Sequence, residues 1–394
     1  MLDGWLAEWI GLFVRWFHFT IGIAWIGASF YFVWLNNAVR PPESGPREGV
    51  AGEVWSVHGG AFYNVTKYAG APAKLPGHLH WFKWEAYLTW LSGFFLLVFL
   101  YWRNAGTWMV DASVADISPM TAVGVGATSI VGGWLVYDLL CRSPLQKHSN
   151  ALAGILLVLM AAGGWGLWQV LAPRAAFIHL GAVMGTCMAA NVLFVIIPGQ
   201  RAMVDAMVAG KPPPVERGKA GALRSLHNNY LTLGVLFAMI SSHFPGTWGH
   251  DHGWVLFLLL TVSGAMLRHA INLSEQGRRV AWLTPAAVLI AVTAALVARP
   301  SQPPTPADGT VVTTSQVQQI IGARCLSCHA SEPFFQGITV PPKGVVFDTR
   351  DEIEAQADTI AQQVASGVMP LANMTEMTDE ERAMVAQWYA SIRK

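Results

Sequence analysis

The C-terminal part of the chain contains the group of residues whose spacing most directly predicts chemistry. Residues 325–329 read Cys-Leu-Ser-Cys-His, the C-x-x-C-H pattern of c-type haem attachment. Cys325 and Cys328 would each form a thioether with the porphyrin, and His329 would bind the iron. A redox-active C-x-x-C pair or half of a zinc site is an alternative, but zinc needs further Cys or His ligands and the nearest other cysteine is Cys187. The sequence therefore predicts one covalent haem c.

A second iron ligand is expected from a methionine that follows the motif. Met369 stands directly before Pro370, and a proline disfavours helical geometry in the residue that precedes it. Met369 is therefore expected in a loop that lies over the haem, with Met374 and Met377 as rival ligands. Ligation by histidine and methionine raises the reduction potential of a haem, which suits an electron acceptor.

Polar side chains inside otherwise apolar segments form a second set of candidates, because such groups are costly in a membrane and often functional. His18 and His179 are predicted to ligate a b-type haem or a metal. Arg15 lies one helical turn before His18 and would meet haem propionates or an anionic substrate. The alternative is that these histidines only link helices through hydrogen bonds. With possible acid–base groups included, the predicted catalytic residues are Arg15, His18, His80, Glu85, His179 and His227.

The elements that must position these residues are mostly apolar. Charged residues make up 12% of the chain and hydrophobic residues 53%, whereas an ordinary soluble domain has about a quarter charged residues. Apolar runs long enough to cross a membrane recur along the sequence. The predicted spans are residues 9–35, 84–102, 118–140, 150–171, 175–198, 225–243, 253–273 and 281–298.

The sequence thus predicts an all-α protein in which an eight-helix transmembrane bundle precedes a class I cytochrome c domain. The predicted domains are the membrane domain (1–298), a proline-rich linker (299–314) and the cytochrome c domain (315–394). Residues 378–381 read Thr-Asp-Glu-Glu, a capping box that predicts the start of a last helix. Similar strings at 87–89 and 230–232 suggest that the bundle consists of two four-helix halves.

Basic residues predict the orientation of the bundle. Haem is attached to c-type motifs outside the bacterial cytoplasm, so the C-terminal domain is expected in the periplasm, and eight spans then place the N-terminus there too. The loops predicted to face the periplasm contain only Arg103 and Arg174 as basic residues, as the positive-inside rule requires. No basic segment precedes the first span, so we expect an uncleaved anchor in the bacterial inner membrane.

The whole arrangement resembles a known family, the integral-membrane cytochrome c urate oxidases of bacteria. The resemblance rests on the strings at residues 15–18 (Arg-Trp-Phe-His), 24–31 and 80–85, and on the C-terminal motif with Met369 and Pro370. It implies oxidation of urate to 5-hydroxyisourate, with water as the oxygen source and electrons leaving through the haem c. The first helix is also similar to that of bacterial membrane haem proteins that oxidise protoporphyrinogen.

The resemblance also implies partners: urate or a similar small anion, the lipid bilayer, and a downstream acceptor such as a soluble cytochrome or a terminal oxidase. Because urate oxidation releases two electrons and one haem accepts one, either turnover has two sequential steps or a second redox centre, as predicted at His18 and His179, lies in the membrane domain. A quinol dehydrogenase, another small-substrate dehydrogenase or a transporter with a tethered cytochrome would use the same architecture. Motifs for nucleotide hydrolysis or nicotinamide binding do not occur in the sequence, and no nucleic-acid partner is expected.

Overall fold

The computed structural model describes residues 4–72, 74–250, 252–299, 312–335, 338 and 340–393. Over these residues the chain is mostly helical, as predicted, with one β-hairpin. The N-terminal helices are α1 (Gly4–Ala38), α2 (Trp84–Leu97), α3 (Ala105–Trp108), α4 (Pro119–Arg142), α5 (Ser149–Trp168), α6 (Pro173–Asn191), α7 (Ile197–Val208), α8 (Val215–Ser241), α9 (Pro245–Trp248), α10 (Gly253–Glu275) and α11 (Leu283–Val297). The C-terminal helices are α12 (Thr314–Arg324), α13 (Leu326–His329), α14 (Arg350–Ala355), α15 (Ala357–Ala365) and α16 (Asp379–Ile392).

Within the described residues, six helical segments are long and apolar enough to cross a membrane, which fits a multi-pass membrane protein. They are Trp5–Ala38, Trp84–Trp102, Pro119–Arg142, Ser149–Trp168, Pro173–Val208 and Gly253–Glu275. Two of these segments continue through a π-helical turn, at Val98–Trp102 and Val192–Ile196.

The other two predicted spans are helical but differ from the six. The helix α11 has 15 residues, a length of about 22 Å, shorter than a hydrocarbon core of about 30 Å. The helix α8 begins ten residues before the predicted span and opens with charged residues, among them Glu216, Arg217 and Lys219.

The helix α6 lies at the centre of the N-terminal part and packs against α2, α4, α5 and α8. The helix α8 in turn packs against α10, and α1 packs against α2, α8 and α10. Small residues permit close contacts at these interfaces. For example, a Cβ at Gly181 would lie 2.6 Å from the Cβ of Ala238.

A β-hairpin that the sequence analysis did not predict follows α1. Its strands are β1 (Val50–His58) and β2 (Ala61–Tyr68), paired antiparallel with Trp55 opposite Asn64. The turn residues Gly59 and Gly60 both have positive φ angles, as a two-residue hairpin turn requires. An ion pair joins Arg47 to Glu53 of β1, so the segment after α1 has a structure of its own.

The C-terminal helices have a hydrophobic core separate from that of the membrane helices. Its buried members include Val317, Ile321, Val385 and Trp388. The capping box predicted at Thr378 is confirmed, because its side chain accepts from the backbone N–H of Glu381 and Glu381 reaches back. Most of the predicted linker, residues 300–311, lies outside the described residues.

The loop after α15 contacts one end of the helical bundle. Val368 is buried in the same hydrophobic cluster as Met109, Leu171 and Trp248, and Met369 packs against that cluster. A short 3₁₀ turn at Leu371–Asn373 also contacts α3. We call the Val368–Met369 loop the docking loop, and the end of the bundle that it contacts the docking end.

Candidate functional site

The C-x-x-C-H motif occupies α13 and the residue before it. Cys325 caps this short helix, and Cys328 and His329 follow within one turn. The imidazole Nδ1 of His329 lies 3.0 Å from the carbonyl oxygen of Val345. A carbonyl only accepts, so Nδ1 carries the proton and Nε2 is left to bind iron. These residues fit the haem c that the motif predicts: the cysteines would bind the porphyrin and His329 the iron.

The motif cysteines lack the further ligands that a zinc site needs. Structural zinc takes four ligands, mostly Cys and His, and within the described residues no group of three or more His, Cys, Asp or Glu side chains could hold a metal ion. Burial raises the pKa of the Cys325 thiol to about 12, and neighbouring Cys328 contributes to this increase.

The predicted methionine ligand lies in the docking loop. Met369 is partly buried, and Arg382 donates hydrogen bonds to its carbonyl oxygen at 2.8 Å and to that of Val364 at 2.9 Å. The rival Met377 is 3% exposed and belongs to the C-terminal core. Met369 stays the predicted ligand, with Met374 and Met377 as rivals, and Arg382 fixes the backbone of its loop.

Arg382 also connects the C-terminal domain electrostatically with the docking end. Burial lowers the pKa of Arg382, whereas the carboxylates of Asp379 and Asp111 act in the opposite direction. Asp111 belongs to the loop between α3 and α4, so charge complementarity accompanies the apolar contact of Val368.

His18 and His179, the predicted ligands of a membrane haem or metal, have different surroundings. The Nδ1 of His18 lies 2.9 Å from the hydroxyl of Ser92. His179 is fully buried, with Nδ1 2.8 Å from the carbonyl of Ala175 and Nε2 accepting from the indole N–H of Trp102 at 3.0 Å.

This geometry does not fit one iron held between the two histidines. Both ring nitrogens of His179 are already hydrogen-bonded. The partners Ser92 and Trp102 are ten residues apart on one helical segment, which is about 15 Å along its axis. We therefore derive no step through a membrane haem. The unlike environments also give no support to two equivalent halves.

The remaining predicted residues are dispersed. Arg15 is exposed on α1, and His80 is exposed before α2 with its ring against Phe82 at 4.5 Å. His227 accepts or donates a hydrogen bond with the hydroxyl of Tyr137 at 2.9 Å. The structure does not bring these three residues into one site.

The hydrogen bond of His227 belongs to a buried network. Asn191 donates to the hydroxyl of Tyr137 at 2.8 Å, and Arg224 donates to Asn191 at 3.1 Å and to Asp138 at 2.7 Å. A cavity of about 390 Å³ opens beside it, lined by residues that include Arg142, Arg217 and Arg224. Three cations at one cavity would attract an anion, although Asp138 is paired with two of them.

Glu85 has a distinctive position in the first turn of α2. Its Oε2 is buried and has no hydrogen-bond partner within the described part of the chain. The α1–α2 contacts of Gly22 with Thr89 and of Phe32 with Phe82 lie on either side of it. Glu85 is therefore level with the part of α1 between those two contacts.

Sequence analysis missed a second buried polar group, centred on Arg268 of α10. Arg268 donates through Nε to Asn229 at 2.8 Å and through a terminal nitrogen to Asn272 at 3.2 Å. Its guanidinium lies 4.1 Å from the ring centre of Phe30. An arginine within an apolar run is a strong signal, and position 268 offered this signal in the sequence.

An aromatic series connects the docking end with the interior along α2. The ring centres of Trp108 and Tyr101 are 6.3 Å apart. The next residue, Trp102, has its ring centre 5.6 Å from that of Phe94. Phe94 in turn stacks on Trp90, with ring centres 5.3 Å apart. At its outer end, Arg174 lies 4.6 Å from the ring of Trp108.

Comparison with known proteins supplies the remaining finding. The model of a family described as urate oxidase N-terminal matches residues 4–299, more than half of the chain. No curated protein and no solved structure matches the chain.

Proposed function

This chain belongs to the urate oxidase N-terminal family, and we propose that it is a membrane oxidoreductase that converts urate to 5-hydroxyisourate. Electrons would leave through a haem c attached at Cys325 and Cys328. One observation carries the proposal: the region that matches the family, residues 4–299, is followed in the same chain by a C-x-x-C-H motif.

The proposed reaction uses water and needs no oxygen gas. Urate and water give 5-hydroxyisourate, two protons and two electrons, so the added hydroxyl oxygen comes from water. A bound haem c would accept the electrons one at a time and pass them to a soluble cytochrome or a terminal oxidase.

Glu85 is our proposed base for the attacking water. A carboxylate that accepts a proton in the reaction must keep an acceptor oxygen available, and the buried Oε2 of Glu85 has no partner among the described residues. His80 is a weaker candidate because it is exposed, and His227 is weaker because Tyr137 and Arg224 already surround it.

The contact of the docking loop supports electron transfer within the chain. If Met369 binds the iron, then the haem lies close to the bundle, because Met369 packs against the docking end. The aromatic series from Trp108 to Trp90 would shorten each electron-transfer step into the interior. The route is part of the proposal.

The proposed topology completes the account. All eight predicted spans would cross the bacterial inner membrane, with the short α11 locally thinning the bilayer and α8 burying its polar groups among other helices. The docking end is formed by the loops near Arg103, Arg174 and Trp248. These are the loops predicted to face the periplasm, where haem c is attached.

Oxygen-18 water provides the test of the reaction class. Purified protein, urate and ferricyanide are incubated without dioxygen in labelled water, and the product is analysed by mass spectrometry. We expect one labelled oxygen per product and two ferricyanide ions reduced per urate. Unlabelled product would show that water is not the oxygen source and would contradict the proposal. No turnover with urate, while a quinol is oxidised, would favour another dehydrogenase function.

A further inference from the structure

We propose that the Arg268 group binds the planar substrate anion, an inference that rests on the proposed function and adds the location of its substrate site. The group consists of Arg268 and Asn272 on α10, Asn229 on α8 and Phe30 on α1. We call it the Arg268 pocket.

The polar residues of the Arg268 pocket are buried from solvent. Asn229 is 0% exposed, and Arg268 and Asn272 are each 4% exposed. A buried cation without a carboxylate in direct contact is costly, and no ion pair to Arg268 occurs among the described residues. The carboxylate of Glu275, about two turns further along α10, acts on Arg268 only from a longer distance. An anionic ligand would place a negative charge in direct contact with the guanidinium.

The two amides are oriented by the arginine. A guanidinium only donates hydrogen bonds, so the oxygen atoms of Asn229 and Asn272 face Arg268 and their NH₂ groups face away from it. Neither Nδ2 has a hydrogen-bond partner within the described part of the chain. Buried donors are nearly always satisfied in native proteins, so two such groups beside one cation indicate a ligand that accepts.

The chemistry of the pocket matches a flat anion with several acceptors. Urate has three carbonyl oxygens in the plane of its rings and a negative charge at neutral pH. Amide N–H groups and the guanidinium would bind these oxygens, while Phe30 offers an aromatic surface beside Arg268. A compact anion such as phosphate would not use the aromatic surface.

The position of Glu85 agrees with this assignment. Glu85 lies level with the part of α1 between Gly22 and Phe32, and Phe30 belongs to that part. The proposed base and the proposed anion site are thus at the same depth in the bundle. The cavity beside Arg142, Arg217 and Arg224 is the competing location for an anion.

Exchange of a single amide for a carboxylate tests the site sharply. Asn272→Asp keeps an oxygen for Arg268 but replaces the free NH₂ group by a second acceptor, which repels an anion. Asn229→Asp makes the same change on the other helix. Arg217→Gln is the control, because it removes a cation from the competing cavity and leaves the Arg268 pocket intact.

Binding is measured by equilibrium dialysis of urate against the full-length, haem-loaded protein after reduction with dithionite, so that no oxidation can follow. Haem c content and thermal unfolding check that each variant is folded. Loss of a hydrogen bond to a charged ligand predicts about a tenfold or larger rise in Kd for both amide variants. Arg217→Gln should bind urate as the unchanged protein does.

The possible outcomes separate this inference from the proposed function. If the unchanged protein binds urate and both folded amide variants bind it equally well, then the Arg268 pocket is not the substrate site. If only Arg217→Gln weakens binding, the site lies at the competing cavity. If the unchanged protein binds no urate at all, the proposed function itself is wrong.

Discussion

Cys325 and Cys328 are separated by two residues on one helical turn, the spacing of c-type haem attachment. If they hold haem c, the porphyrin remains bound after denaturation because thioethers are covalent. The double variant Cys325→Ala/Cys328→Ala should lose haem staining in a denaturing gel. It should also lose urate-dependent electron transfer, since His329 alone would hold only exchangeable haem.

Cys187→Ala provides the matched control for this prediction. Cys187 is a buried free cysteine that packs with Tyr137 and Leu152, remote in sequence from the motif. Its variant should stain like the unchanged protein. Staining that survives loss of both motif cysteines would show that the haem c prediction is wrong.

The two methionines Met369 and Met377 are distinguished by their surroundings. Met369 lies in the docking loop, whereas Met377 is buried in the C-terminal core. Because methionine ligation raises the potential of a haem, Met369→Ala should lower the reduction potential of haem c. Met377→Ala should instead lower the free energy of unfolding by about 2–5 kcal/mol, the usual loss for a buried methionine.

Redox titration and denaturant unfolding measure these two effects separately. A lowered reduction potential in Met377→Ala, with an unchanged potential in Met369→Ala, would show that Met377 and not Met369 is the iron ligand.

Glu85 is predicted to act in chemistry rather than in binding. Glu85→Gln retains the shape of the side chain but removes the base, so kcat should fall by about 10²–10⁴ while the Kd for urate changes little. Steady-state kinetics with ferricyanide measures the first quantity and equilibrium dialysis the second.

Glu216→Gln serves as control for Glu85, because Glu216 is an exposed carboxylate paired with Lys219 on α8. This variant should keep its activity. If Glu85→Gln has a normal kcat, another group must activate the water.

At the scale of elements, the docking loop is predicted to control electron transfer. Val368 is buried against the bundle, and an aspartate there would oppose docking, since it loses apolar contact and places a charge in an apolar cluster. Val368→Asp should slow reduction of haem c by urate about tenfold or more. Dithionite, a small soluble reductant, should still reduce the haem at the ordinary rate.

Stopped-flow absorbance in the haem bands measures both rates. Ile392→Asp, a change of the same type at an exposed position of α16, should leave both unchanged. An unaltered urate-dependent rate in Val368→Asp would exclude the docking loop as the path to the haem.

Apolar runs predicted the positions of the long helices because burial or lipid contact requires continuous hydrophobic segments. The same rule was less informative for α8, where charged residues of the first turns extend the helix beyond its apolar part. The β-hairpin was not predicted, because long apolar runs indicate only membrane spans. Its glycine pair at 59 and 60 between alternating strands was a usable signal.

The candidate site was predicted only in part. Glu85 was named from its sequence, but its unpartnered oxygen depends on packing between α1 and α2. His18 and His179 were paired because they occupy similar positions in their apolar segments. Their hydrogen-bond partners, Ser92 and Trp102, lie at different levels of one helical segment. The Arg268 pocket is formed by residues of three helices that are distant in sequence, so no local sequence pattern predicts it.

At the scale of the whole molecule, the proposed substrate site lies far from the docking end, where the proposed electron acceptor contacts the bundle. Arg268 is the sixteenth residue of α10, about 22 Å along the axis from Gly253, which lies near the docking end. Electrons from a substrate at the Arg268 pocket must therefore cross most of the bundle to reach the C-terminal domain. This separation makes the coupling of urate to haem c the central claim.

Anaerobic titration of the oxidised, full-length protein with urate tests that coupling directly. The absorption bands of haem c report its reduction, and no other acceptor is present. We predict that half an equivalent of urate reduces one haem c, because each urate releases two electrons. Haem c that stays oxidised with excess urate, although dithionite reduces it fully, would contradict the account.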